Sequence, residues 1–386
     1  MRYIEIKNTK CIQKYIQYLA ATAVAILALC LLIIGSYSAV HAASQAPSKP
    51  WDFMVTAANG KVVVTWKKSS DANCYAIYQA CSRKSLSKAK IAKLKFVKIK
   101  VVKSNKATIK DLKKGQDYHF YVTAGKKYDG KIHYGKKSDI HSVTLPSTGK
   151  STVKNLLRTG LAPVGTTLYV WGGGWNKADT GTGKTAKMVG LYPSWHNFYK
   201  KHKKNYNFRK HRYKITKGLD CSGFVGWTVY NILENTDGHP GYVTWAEKQG
   251  KWFAKKGFGQ YSVPSKVKSH NAGDIMTCRT HVWMAIGDCS DGSVVILHAS
   301  PPAVGLAGTP AKNGKKNSEA VKLARKYMKK YYTGLYNAYG KKIVIRGNDY
   351  RTSYGRMRWN KKTLSDPEGY RKMKANDVLA DLFKEK

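Results

Sequence analysis

The sequence predicts a multidomain chain, an all-β sandwich followed by an α+β domain. Two observations carry this. Residues 45–147 hold short runs of period two, and residues 153–358 mix helical and strand patterns. In the first region Val62, Val64 and Trp66 alternate with Val63 and Thr65. Tyr75 and Ile77 alternate with Ala76 and Tyr78, and Tyr118, Phe120 and Val122 with His119 and Tyr121. Turn dipeptides at Asn59-Gly60, Lys114-Gly115 and Asp129-Gly130 separate these runs, the rhythm of a two-sheet sandwich. The stretch 88–103 alternates lysine with apolar residues and reads as a half-buried strand with a solvated lysine face. Residues 148–152 read as a linker. Helices are expected at 153–161, 221–235 and 318–332, the last with Ser318 as N-cap. Strands are expected at 274–278, 281–287, 293–299 and 341–346. Residues 359–386 read as a charged tail with a short helix at 376–383.

The chain has 386 residues, with 69 Lys and Arg against 22 Asp and Glu, a formal net charge of +47. Such a surface concentrates polyanions. Residues 1–42 decide which kind. Scattered basic residues precede an apolar run from Ala20 to about Ile34, then the small-residue stretch Val40-His41-Ala42-Ala43. This is the layout of a secretory signal peptide cleaved after Ala42 or Ala43, with no stable membrane insertion afterwards. An apolar run shorter than about 20 residues argues against a retained anchor. A secreted, cell-wall-associated location excludes nucleic acid and favours an anionic wall polymer, bound in a salt-sensitive way. Past the signal there are five cysteines, Cys74, Cys81, Cys221, Cys278 and Cys289, and an odd count leaves at least one thiol unpaired. Cys74 and Cys81 lie an odd number of steps apart on one strand, so they face opposite sides. No cofactor or metal is expected. The near phosphate loop at 178–185 lacks its first glycine, and His196, His202 and His211 read as a solvated basic loop.

The motif Gly218-Leu219-Asp220-Cys221-Ser222-Gly223-Phe224 opens a helix at Cys221. Unpaired amides at a helix N-terminus favour a thiolate, which would lower the thiol pKa. Small Ser222 and Gly223 leave the sulfur accessible. A thiol nucleophile needs a base. His281 opens one strand and His298 closes the next, across the turn Gly287-Asp-Cys-Ser-Asp-Gly292. A symmetric hairpin sets His281 directly opposite His298 on one face, a Cys–His–His triad with His281 as base and His298 as its orienting partner.

Two resemblances follow. Pro50, Trp66, Tyr75 and the stretch Leu112-Lys-Lys-Gly115-Gln-Asp-Tyr118 resemble a fibronectin type III module, including the corner in which a tyrosine hydroxyl holds the backbone upstream. Tyr169-Val-Trp171-Gly172-Gly173, Asp220-Cys221-Ser222-Gly223, Gly273-Asp274, His281 and Leu297-His298-Ala299-Ser300 resemble, in order, the NlpC-type papain-like cysteine peptidases that cut peptidoglycan stem peptides. That resemblance implies an α+β papain-like domain over residues 153–358. It implies Cys221 as nucleophile, His281 as base and His298 as third polar residue. Tyr169 would line the site, and Asp220 and Ser222 would recognise the substrate's amino end. The implied bond is the D-γ-glutamyl linkage to a diamino acid. An N-acetylmuramoyl-L-alanine amidase on the same scaffold and a non-catalytic wall-binding adhesin are the alternatives. The chain departs from the family in a long, basic, aromatic insertion at 174–219, expected to cap the groove, and in its extension beyond His298.

Overall fold

A computed structural model describes residues 13–33, 46–58, 60–83, 85–145, 151–178 and 180–385. The first module is an antiparallel β-sandwich. One sheet has the order β1-β2-β5, formed by Trp51–Ala58, Lys61–Lys67 and Lys106–Ile109. The other runs β4 (Val97–Val102), β3 (Cys74–Ser82), β6 (Gln116–Tyr128), with β7 (Lys131–Tyr134) and β8 (His141–Leu145) pairing successive halves of β6. Inward residues Val62, Val64, Trp66, Tyr75, Ile77, Phe120 and Val122 fill the space between the sheets. Tyr118 donates its hydroxyl to the Lys113 carbonyl at 3.0 Å, the expected corner. Cys74 is buried and Cys81 exposed, as their spacing requires.

Stretch 88–103 departs from the single half-buried strand. It divides into a helix, Lys88–Ala92, capped by Ser87, and the strand β4. β4 has one sheet neighbour, so Val97, Ile99 and Val101 are exposed along with the lysines between them. Lysine on such an edge discourages pairing with another chain.

The second module is built on a six-stranded antiparallel sheet, β13-β12-β11-β10-β14-β9. Its strands are β9 (Gly259–Ser262), β10 (Ile275–Thr277), β11 (Val282–Asp288), β12 (Val294–Ser300), β13 (Ala303–Gly308) and β14 (Gly355–Trp359). Helices Val153–Leu161 and Cys221–Leu233 cover one face, with Leu156, Phe224, Val225, Met284 and Leu297 in a shared core. The Glu319–Tyr331 helix starts at Ser318, whose hydroxyl accepts from the Val321 amide. Residues 341–346 are not a strand. Lys341–Val344 is a helical turn, and Ile345 bridges Gly308.

The two modules share an interface. Residue 151 of the expected linker belongs to it, because Ser151 donates to the carbonyls of Ala57 and Ile232. Residues 148–150 lie outside the described residues. Insertion 174–219 fills much of the contact: His196 hydrogen-bonds Asp52, and Lys67 donates to Asn197. Residues 359–385 are not a free tail. Tyr370 is fully buried, and the Ala375–Leu382 helix packs against the sheet. Asp381 pairs with buried Lys154 at 2.6 Å, and Lys384 reaches Asp117 of the sandwich at 3.1 Å. Lone buried charges are costly, so this C-terminal clasp holds only because each charge meets its opposite.

Near the N-terminus, Gln13–Ile33 forms a helix of 21 residues. That is longer than the apolar run alone and meets the length of a membrane span as well as of a secretory signal. Residues 40–43, where cleavage is expected, lie outside the described residues.

Candidate active site

The helix Cys221–Leu233 begins at the motif that sequence analysis singled out. Asp220 is its N-cap, and the carboxylate accepts from the Gly223 amide at 2.6 Å and the Ser222 hydroxyl at 3.0 Å. The helix start is pressed against residues 168–175: the Asp220 amide donates to the Gly173 carbonyl at 3.0 Å. A Cβ on Gly223 would fall 2.0 Å from that carbonyl oxygen, and one on Gly173 would fall 2.5 Å from the Gly218 oxygen. Both glycines are therefore required by close backbone approach.

Ser222 and Asp220 are buried and serve the scaffold. Trp175 Nε1 donates to Ser222 Oγ at 3.1 Å, and Gln249 Nε2 donates to the Ser222 carbonyl at 3.1 Å. Both partners were missed from the sequence. Trp175 follows directly on the Tyr169–Gly173 motif, which was a signal for it, whereas Gln249 carries no local signal. Tyr169 is also buried. Its ring meets Phe208 edge-on and its carbonyl accepts from the Tyr206 hydroxyl at 2.7 Å, so the insertion does close over this residue. His196, His202 and His211 are half-buried rather than fully solvated: His202 packs on Phe198 and on His211, which stacks on Tyr206.

Cys221 is 7% exposed, and the nearby backbone amides of Val282, Ser222 and Cys221 itself favour the charged form of its sulfur. Val282 follows His281, so the sulfur sits at the start of the strand that carries the histidine. His281 Nε2 and His298 Nδ1 lie 3.0 Å apart. Their register differs from the symmetric hairpin. Met284 pairs with Leu297, with a bulge between Ala285 and Gly287. Continuing that register sets Trp283, not His281, opposite His298. The shift is two residues, which preserves the face, and the two rings meet diagonally. Among the described contacts the thiol makes no hydrogen bond to either imidazole.

The electrostatics differ from a helix-activated thiolate. Burial, reinforced by the Asp220 carboxylate, pushes the Cys221 thiol up to about 12 despite the three amides. Desolvation outweighs the helix N-terminus here. Burial, with the Arg346 charge, lowers His281 to about 3 and holds His298 well below the usual imidazole range. The resting pair is neutral thiol and neutral imidazole, not an ion pair. Tyr350, from the chain's extension, lies against both histidines, with ring centroids 5.5 Å and 5.9 Å away.

These shifts set an acid limit on stability. His281 and His298, together with His119, lowered by burial to about 4, stay neutral when folded. The unfolded chain takes up their protons near pH 6.5, so stability is lost as pH falls below that value. Asp117, lowered to about 2 despite burial by Arg158, Lys384 and Lys154, adds a loss of the same sign below about pH 4. The urea midpoint is expected to fall between pH 7 and 4.5; an unchanged midpoint would contradict these assignments.

Among the described residues, Cys289, Asp291 and Glu319 bring possible metal-ligand atoms within 4.8 Å of one another. Their carboxylates are already engaged by backbone amides: Asp291 accepts from Glu319, and Glu319 accepts from Ser290. The group caps the Glu319–Tyr331 helix.

No protein-family model matches the chain, and no curated protein does. Among solved structures it is similar to a Fn3-like protein from Clostridium thermocellum, at 20% identity over 26% of this chain and 96% of that one, TM-score 0.21. It is similar to the FN5 domain of Drosophila Lar at 21% identity over 26% and 99%, TM-score 0.20. It is also similar to the twitchin kinase region from C. elegans at 16% identity, TM-score 0.23, over 28% of this chain; it spans 18% of that structure.

Proposed function

We propose that this chain is an exported cysteine peptidase that hydrolyses peptidoglycan stem peptides, carrying a fibronectin type III-like module beside an NlpC-type catalytic domain. The observation that supports it most is the junction at the start of β11. There the Val282 amide favours the charged form of the Cys221 sulfur, and the preceding residue, His281, is hydrogen-bonded to His298.

His281 uses Nε2 toward His298, which leaves Nδ1 for the thiol proton. That role needs the proton on Nε2, donated to His298 Nδ1. Because the resting groups are neutral, thiol deprotonation accompanies attack. Cys221 Sγ bonds to the amide carbonyl carbon while its proton passes to His281 Nδ1. The C–N bond then breaks, and His281 returns the proton to the leaving amine. Water, deprotonated by His281, attacks the thioester, and the acid leaves as the thiol regains its proton. In this reading the Cys221 amide stabilises the oxyanion. The +47 charge holds the enzyme on an anionic wall polymer.

Digestion of defined muropeptides followed by mass measurement tests this reading. The expected fragments are those of cleavage between D-γ-glutamate and the diamino acid. Release of free stem peptide from muramic acid would give the amidase instead. No fragments from intact, folded protein would refute the peptidase.

A further inference from the structure

Arg346 occupies an unusual position for a cation. Its Nη1 donates to the carbonyls of Lys342 at 2.9 Å and Ile345 at 2.6 Å, and its own amide donates to Gly308. The guanidinium is thereby held against the helical turn before it, and the residue's backbone against the end of β13. Its opposite edge, Nε and Nη2, is shut off from solvent and meets no carboxylate or carbonyl. The groups that act on it are Tyr350, whose hydroxyl contributes a side-chain hydrogen bond, and Tyr354, with no carboxylate among them. A buried positive charge without a counter-ion is destabilising by itself. Nε and Nη2 form the edge of a guanidinium that grips a carboxylate with two parallel hydrogen bonds. A second orphan donor lies in the same place: His298 Nε2 is buried without a partner, and Tyr350 packs on both catalytic-site histidines.

We propose that Arg346 is a specificity residue that binds a substrate carboxylate next to the scissile amide. This rests on the peptidase reading and narrows it. A γ-linked glutamyl residue leaves its α-carboxylate free close to the carbonyl that is attacked. The enzyme therefore selects γ-glutamyl donors whose α-carboxylate is ionised over those in which it is an amide. Entry requires half-buried Tyr350, in the otherwise largely exposed turn 347–353, to move aside.

The test uses binding and cleavage together on the full chain. L-Ala-γ-D-Glu and its α-carboxamide are titrated calorimetrically into the Cys221→Ala protein, with and without Arg346→Gln or Arg346→Lys. The carboxylate peptide is expected to bind about tenfold to a hundredfold tighter than the amide, as a charge-assisted pair implies. Arg346→Gln is expected to erase that preference and Arg346→Lys to keep part of it. A preference that survives in Arg346→Gln would overturn the proposal, as would failure of either peptide to bind. The matching stem peptides are given to the protein with Cys221 intact. Cleavage without discrimination would refute the role of Arg346 and leave the peptidase standing. Discrimination in binding without cleavage would do the reverse.

Discussion

Replacing His281 with alanine is expected to lower stem-peptide cleavage by about a thousandfold or more, with folding retained. The thiol is neutral at rest because burial and Asp220 raise its pKa. Catalysis therefore depends on a group that takes the proton during attack, and loss of a general base costs about 100- to 10,000-fold. The upper part of that range applies because no pre-formed thiolate remains to sustain reaction. His298→Ala is expected to cost less, since it orients His281 through one hydrogen bond of 3.0 Å. His298→Asn or Gln restores a polar partner and should recover part of the loss. Steady-state rates on one muropeptide, with circular dichroism to verify folding, make the comparison. Full activity in His281→Ala would remove the imidazole from the mechanism.

Replacing Arg358 with alanine is expected to destabilise the protein by about 3–5 kcal/mol, the usual cost of orphaning a buried ion. Asp274 is 1% exposed and lies in the turn before β10. Arg358 Nε and Nη2 meet its two oxygens at 3.0 Å and 2.7 Å, and the Asn271 amide supplies a further hydrogen bond. Burial pushes this carboxyl up while Arg358 opposes it. Once the guanidinium is removed, the carboxylate is left with Arg356 at 4.0 Å and the turn amide. The Asp274 carbonyl also accepts from Ala285 on β11, so the pair supports the strand that begins beside His281. The double variant Asp274→Asn, Arg358→Met should recover most of the loss, because neither charge is then stranded. Urea unfolding measures both. A change below 1 kcal/mol in Arg358→Ala would contradict the buried pair.

What was legible in the sequence followed local rules. The Cys221 helix, the Ser318 cap and the tyrosine corner each depend on residues within a few positions of one another. The pairing of His281 with His298 was reached through a register wrong by two residues. Parity alone decides the face, and the bulge at 285–287 was invisible to turn composition. Strand β14, which pairs β10 with β9 from far along the chain, left no signal of its own. Its sequence Gly355-Arg-Met-Arg-Trp359 alternates over only five residues. The tail and the insertion looked solvent-exposed because they are rich in lysine. Charge composition does not reveal that Lys154, Lys384 and Asp117 are gathered into one clasp by tertiary folding. The thiol was misjudged for a similar reason. A helix N-terminus can be read locally, whereas the burial that outweighs it is a property of the assembled domain.

The most direct measurement is the intact mass of the protein quenched in acid during turnover of a muropeptide. A thioester intermediate predicts a mass increase equal to the acyl half of the substrate, localised by peptide mapping to Cys221 and absent from Cys221→Ala. Turnover by Cys221→Ala at the unmodified rate, or an adduct on another residue, would contradict it.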